Sequence, residues 1–439
     1  MKRFFGLVIL GCTFVSNTCM AQEKADVTLD KAIEIALAEN PTIRVADKEI
    51  KLKKISKNVA WQNLLPTVTA TGTLQHTLLA AVMNFNNQTV KLGRDNTNTV
   101  ALVGTLQLPI FAPSVYQNIK LSSKDVELAQ EKARGSRLDL IHEVTKAYYN
   151  LLLAIDARDV MSDALKVSEE ALDVVTARYN VGSVSEYDKI TAEVQMRSMK
   201  SSLVSAETGV VLAELKLKVL MGITTDISLV PQDKLSDYET SLSLANTLTD
   251  ETSLQNNTTL RQLDMNRDLL ERSLKIQRTT LLPSLNFSIT GQYQAMYETD
   301  WNLFAYKNWP SSASFTLSLS VPVFNMTNWT KLKSARMQIS QLEDTRTNTE
   351  RNLNMALQSY QKNMESTLVE IESDKRAIEQ AEQAVTISKK KYEVGRGTVL
   401  DMNQSQLALT QAKLTYDQAL FDFITNKADM EYTIGNTTK

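Results

Sequence analysis

Cysteine is almost missing from this 439-residue chain; it occurs only at Cys12 and Cys19, both near the N-terminus. The residues beyond them can form no disulfide and offer no thiol nucleophile. Histidine is equally scarce. His76 and His142 stand far apart, with no Cys, Asp or Glu cluster at metal-ligand spacing, so no metal site is expected. The chain has no Gly-rich phosphate loop, nucleophile elbow or carboxylate constellation, which argues against an enzyme and against a bound cofactor. Gly (13) and Pro (8) are few, so helices meet few stop signals. Neither sign of charge dominates: 48 basic residues face 50 acidic ones, and no long-range field draws the chain to nucleic acid. Beyond the first residues no uncharged apolar run reaches 18, which excludes a membrane-spanning helix.

What the chain does have begins with Met1-Lys2-Arg3, an apolar run over 4–15, and small or polar residues to Gln22. That pattern predicts a signal peptide over 1–21, with Ala21 as its last residue. Cys12, following Ile9-Leu10-Gly11, reads alternatively as a lipidation cysteine, but cutting there leaves a very short apolar core. The remainder is rich in Ala, Leu, Gln, Lys and Glu, a long-helix composition.

The mature chain reads as two similar halves. Helical patterning over 29–39 and 41–63 gives way at Pro66 to a period of two: Thr67, Thr69, Thr71 and Thr73 alternate with Val68, Ala70, Gly72 and Leu74. A second alternating run ends at 108, giving a hairpin over 67–108. A long helix pair is expected over 114–221, interrupted only near Tyr179-Asn180-Val181-Gly182. At 1.5 Å per residue, its first member would span roughly 100 Å. A polar, irregular linker covers 223–253, and Asp237, Glu239, Asp250 and Glu251 there read as a solvated charge group. The order then repeats over 254–435: helix, hairpin over 284–321, and a helix pair over 327–434, leaving a short tail at 436–439. The first repeat is thus 22–222. Pro109 and Pro322, Tyr179 and Tyr392, Gly182 and Gly395, Asp188 and Asp401, and Gly222 and Gly435 all stand 213 apart; Asn40 and Asn257, and Pro66 and Pro283, stand 217 apart. The ungapped matches indicate an internal duplication, with four extra residues in the first hairpin.

Leu285, Phe287, Ile289 and Tyr293 fall on one face of a strand and Ser284, Asn286, Ser288 and Thr290 on the other. Strands of about ten residues with one apolar and one small polar face suit a membrane barrel. Trp301, Phe304, Tyr306 and Trp309 at the hairpin tip suit a membrane interface. A soluble sandwich alternates equally well, although four strands hardly make one. If the strands span a bilayer, their open edges require that several chains share one barrel. In the long helix over 327–393, positions 357, 360, 364, 367, 371, 374, 378, 381, 385, 388 and 392 follow steps of three and four, which predicts one coiled-coil-like seam.

The twin turns carry capping signals. Gly182 and Gly395 are helix C-cap glycines, and Ser185 to Asp188 and Thr398 to Asp401 read as capping boxes. Together with Leu108-Pro109-Ile110-Phe111, Val321-Pro322-Val323-Phe324 and the doubled Tyr-x-Val-Gly, they make the chain resemble the TolC-like outer-membrane efflux proteins. The resemblance covers essentially all of the mature chain. It implies a mainly α fold with two β-hairpins. A trimer would complete a twelve-stranded β-barrel in outer-membrane lipid, joined to a coiled-coil helical barrel in the periplasm, with 223–253 as an equatorial linker. Its implied function is that of a passive exit duct of a tripartite efflux or type I secretion system. The implied partners are a periplasmic adaptor (membrane fusion protein) and an inner-membrane transporter. Val181, Gly182, Val394 and Gly395 would form the adaptor-contact helix tips. Asp188 and Tyr392 match family positions that hold the periplasmic gate shut, and Asp401 matches an acidic ring at the constriction. Gly397 stands where the best-known member has an arginine partner, with Arg396 next to it as the candidate substitute, and Gln404 stands where that member has a second acidic ring. The alternative reading is a non-conducting periplasmic coiled-coil scaffold.

Overall fold

Two hairpins of very long helices dominate the computed structural model, which describes residues 24–85, 88–223, 227–239, 253–297 and 309–436. In chain order the elements are β1 (Lys24–Val27), α1 (Leu29–Glu39), α2 (Pro41–Gln62), β2 (Thr67–Thr77), β3 (Ala81–Phe85), β4 (Gln88–Leu92), β5 (Thr97–Phe111), α3 (Pro113–Asn180), α4 (Glu186–Met221), β6 (Ser228–Pro231), α5 (Thr258–Thr279), β7 (Ser284–Tyr297), β8 (Ser311–Ser320), α6 (Met326–Glu393) and α7 (Val399–Ile434). Residues 1–21, Asp250, Glu251, Trp301, Phe304 and Tyr306 lie outside the described residues.

The duplication is preserved to the residue. α2 and α5 each have 22 residues, α3 and α6 each 68, and α4 and α7 each 36. No helix among the described residues is long and apolar enough to cross a membrane. α6 shows why such helices form without being apolar all round. Met364, Thr367, Ile371, Ser388 and Tyr392 of the predicted seam are buried, its other six positions are half-buried, and the residues between them are mostly exposed. A stripe that narrow leaves most of the helix surface to water, as in a tube wall.

The shorter helices stack end to end beside the long ones. Gly222 closes α4 in the left-handed region (φ 71°), and a Cβ there would meet the Glu39 carbonyl at 3.0 Å. Asn40, the N-cap of α2, donates from Nδ2 to the Leu220 carbonyl at 2.7 Å. The second repeat copies the joint: Gly435 (φ 80°) ends α7 against Asn256, and Asn257 Nδ2 donates to the Thr433 carbonyl at 2.7 Å. Both asparagines are buried and also accept from their own helix N-terminus, at Thr42 N and Leu260 N. α4 with α2, and α7 with α5, therefore act as pseudo-continuous helices.

At the far end of the hairpins, β2-β5-β7-β8 form one antiparallel sheet. Its register aligns like with like. Val68, Leu106, Ile289 and Phe315 lie in one row across the sheet, while Thr69, Thr105, Thr290 and Ser314 lie in the next. Successive rows point to opposite faces, so one face is apolar and the other is lined with small hydroxyls. The outer strands β2 and β8 are exposed almost throughout, and each offers one unpaired edge. β5 continues past the expected end at Leu108 as far as Phe111, because the pairing absorbs Pro109 with a register shift between Pro109 and Phe111. The first loop holds an additional hairpin, β3–β4, which periodicity did not distinguish from loop.

The linker is more ordered than its polarity implied. β6 pairs in parallel with β1, and Leu235 is fully buried. Asp233 accepts hydrogen bonds from the hydroxyls of Tyr148 (2.8 Å) and Tyr238 (3.3 Å). Burial pushes the pKa of both phenols up, so they remain donors. Glu239, expected to be solvated, instead binds Lys375 of α6 at 2.6 Å and accepts from Tyr416 of α7. The main core lies at this level, built from the middle of α3, the ends of α4 and α7, α1 and the linker.

Candidate functional site at the helix tips

The two hairpins meet again at the ends remote from the sheet. There a separate small core gathers Val175, Ala192, Tyr392, Val399 and Met402, drawn from α3, α4, α6 and α7. Each hairpin turns in the same way. α3 ends with Gly182 at φ 76°, whose N–H donates to Tyr179, while Ser183 N–H reaches back to the Arg178 carbonyl. α6 ends with Gly395 at φ 74°, and Arg396 N–H reaches back to the Lys391 carbonyl at 2.8 Å. Val181 is 79% exposed and Val394 71% exposed, so both turns present apolar side chains to solvent.

Both aspartates cap the helices that follow. Ser185 Oγ accepts from Asp188 N–H, and Asp188 Oδ2 accepts from Ser185 N–H at 3.1 Å. Thr398 and Asp401 repeat this, with Thr398 N–H donating to Oδ2 at 3.0 Å. The bonds from the Thr398 backbone and hydroxyl hold the Asp401 carboxyl below the usual carboxylate range. Asp401 is thus a fixed negative charge at the start of α7, exposed to solvent.

Tyr392 is 4% exposed, and its hydroxyl has no hydrogen-bond partner. Burial raises its pKa. The cation that meets it belongs to α3, not to its own turn. The Arg178 guanidinium lies over the Tyr392 ring, 4.6 Å from the centroid, and donates to the carbonyls of Tyr392 at 2.8 Å and Glu393 at 2.7 Å. These carbonyls belong to the last turn of α6, where the i+4 helical donors are missing, although the Gly395 N–H reaches the Tyr392 carbonyl at 3.0 Å, and the helix dipole favours a positive charge there. Arg178 therefore clasps the tip of one hairpin to the other. Arg396, the sequence candidate for this role, is exposed, and its side chain makes no hydrogen bond or ion pair among the described residues. Gln404 is likewise exposed.

The structure thus brings Tyr392, Asp188 and Asp401 to one end of the molecule; Tyr392 meets Arg178 of the other hairpin, and the Asp188 carboxylate of that hairpin lies close enough to act on its hydroxyl. Sequence reasoning missed Arg178. The available signal was a basic residue in the last turn of α3, one place before the repeated tyrosine.

The comparisons with known proteins agree with this architecture. The family model described as outer membrane efflux protein matches residues 32–223 and 251–436. Outer membrane protein TolC of Escherichia coli strain K12 is 22% identical over 451 residues, covering 99% of this chain and 87% of that protein. Among solved structures, the CmeC outer membrane channel of Campylobacter jejuni superposes with a TM-score of 0.73 at 15% identity, covering 98% of this chain and 94% of that one. The open state of the MtrE outer membrane channel of Neisseria gonorrhoeae does so with 0.71 at 18% identity, covering 93% and 89%.

Proposed function

The chain belongs to the outer membrane efflux protein family, and from that premise we infer that it is a passive exit duct gated at its helix tips. The family places it in the outer membrane as an efflux channel component. The finer reading is that three copies close one pore, take substrate from an inner-membrane transporter through a periplasmic adaptor, and open by parting the hairpins at Arg178 and Tyr392. The function is conduction; the residues at the tip hold or release a contact and carry out no reaction.

One observation carries the reading. The four-stranded sheet has an apolar face, a hydroxyl-lined face and two unpaired edges, β2 and β8. Such a sheet is stable in lipid only if its edges are paired, and adding copies β8 to β2 pairs them without altering the faces. Three copies supply twelve strands, with the hydroxyl face turned inward to water and the apolar face to lipid. Roughly 100 Å of paired helix beyond the barrel then forms a conduit away from the membrane. Val181 and Val394, the exposed apolar tips, are the surfaces offered to an adaptor.

Recording from the purified protein in a planar bilayer tests this reading. Discrete, cation-preferring conductance steps are expected. Protein that inserts or associates as trimers but never conducts, even with the clasp broken, would favour the scaffold instead.

A further inference from the structure

Just behind the clasp the two hairpins separate around a cavity of about 360 Å³, walled by α3 on one side and by α6 and α7 on the other. Its apolar floor is made by Val167, Ala171, Val385, Met402 and the Tyr392 ring. The volume falls within the range of small-molecule sites, which combine such floors with a few placed polar groups. Two of those groups lack partners: the Tyr392 hydroxyl, on a side chain 4% exposed, and Gln406 Oε1 are both buried without a hydrogen bond. A buried acceptor left unpaired is costly, and a ligand N–H would relieve that cost. The charge around the cavity is also one-sided. Glu170, Asp173 and Glu393 supply three carboxylates; against them stand Lys389, which lies only loosely on Glu170 at 3.8 Å, and the Arg178 guanidinium on the far side of the Tyr392 ring, which leaves an excess of one carboxylate.

We propose that this cavity is a binding site for a small organic cation, an aryl or alkyl ammonium, that bridges the two hairpins and holds the tip closed. The apolar body lies on the valine, alanine and methionine floor. The ammonium faces the Glu170 and Asp173 carboxylates, away from Arg178, and donates toward Gln406 Oε1. Both walls belong to the arrangement that the Arg178 clasp maintains, so the ligand binds that arrangement in preference to one with the hairpins apart, and it shifts the population accordingly. The gating effect rests on the duct reading above; the binding site does not.

The test uses the full-length purified protein and two probes of matched shape, naphthylmethylamine and the uncharged naphthylmethanol. Calorimetry should show saturable binding of the amine, at least tenfold tighter than the alcohol. Val167→Trp, which fills the floor, should abolish it. Glu170→Gln with Asp173→Asn should weaken the amine about tenfold and leave the alcohol unchanged, and this pair keeps the test valid if the tryptophan variant does not fold. In bilayers the amine should lower the open fraction of the unmodified channel and not that of the double variant. No saturable binding, equal affinity for both probes, or binding indifferent to all three substitutions overturns the site. Binding as expected in a protein that never conducts would retain the site and reject the duct.

Discussion

Replacing Arg178 by alanine should open the helix tips, and its size can be worked from the contacts. The guanidinium makes two charge-assisted hydrogen bonds, at 2.8 and 2.7 Å, and one cation–π contact at 4.6 Å. In a dry site each such hydrogen bond would contribute about 1.5–3 kcal/mol. The Glu393 carbonyl is open to water, so a solvent-screened value of roughly 1 kcal/mol per bond is appropriate, with about 0.5–1 kcal/mol from the ring contact. The sum of about 2.5–3 kcal/mol corresponds to a roughly 70- to 150-fold shift toward parted hairpins. No penalty for orphaned carbonyls is added, because water reaches them once the side chain is gone. Arg178→Lys should fall between the two, since an ammonium keeps the charge but loses the planar fork.

The readout is direct because cysteine is confined to positions 12 and 19, within the segment read as a leader. Spin labels on Val181→Cys and Val394→Cys, both exposed, report the separation of the two tips. In Arg178→Ala the distance distribution should broaden toward longer values, and the bilayer conductance should show a larger open fraction. A variant with unaltered label distances and unaltered closed occupancy would refute the clasp, whatever its thermal stability.

Asp401→Asn should reduce the preference of the channel for cations, seen as a smaller reversal potential in a KCl gradient; an unchanged potential would remove Asp401 from the pore. Gly435→Ala should cost about 3 kcal/mol or more, since a methyl there runs into the Asn256 carbonyl, whereas Gly395→Ala, with nothing within 4 Å, should cost only the roughly 1 kcal/mol of a left-handed alanine. Equal melting temperatures for the two variants would show that the end-to-end helix joint is loose. Asp156 and Asp417, on α3 and α7, are pushed up to about 6 and about 7, first by burial and then by neighbouring carboxylates, including Asp156 acting on Asp417. The folded chain therefore holds these protons more tightly than the unfolded chain. The destabilisation is complete above about pH 7 and is relieved as the pH falls through 7 and 6 toward the ordinary carboxylate value. Asp417→Asn should accordingly stabilise the protein at pH 8, by about 1–2 kcal/mol after discounting for solvent access, and hardly at pH 4. Denaturant melts at the two pH values decide it.

The long elements were legible because their signals are local and repeated. A seam at steps of three and four, carried from Leu357 to Tyr392, can bury one stripe only as a helix, and the residues at those positions are the buried or half-buried ones. Alternation from Leu285 to Tyr293 similarly fixes a strand with two unlike faces. β1 and β6 escaped because four-residue segments about 200 positions apart carry no period; their pairing is decided by the core they cover. Glu239 escaped for a related reason. A carboxylate in a polar segment looks solvated until the fold brings Lys375 and Tyr416 to it.

Arg178 was hidden by the duplication itself. Its counterpart 213 residues on is Lys391, so each hairpin carries a cation next to its tyrosine, and nothing local distinguishes the two. The structure breaks the tie. Tyr179 takes a lysine of its own hairpin, with Lys189 Nζ 5.0 Å from the ring centroid, whereas Tyr392 takes Arg178 from the other hairpin. α3 and α6 are equal in length, but sixteen residues of α3 are buried against six of α6, because α1 and the linker cover the middle of α3. Two copies of one sequence pattern therefore make different contacts: Tyr392 receives a cation from the other hairpin, Tyr179 one from its own. The glycine standing at the expected cationic position, Gly397, still leaves Tyr392 with a cation on its ring, because Arg178 of α3 supplies it.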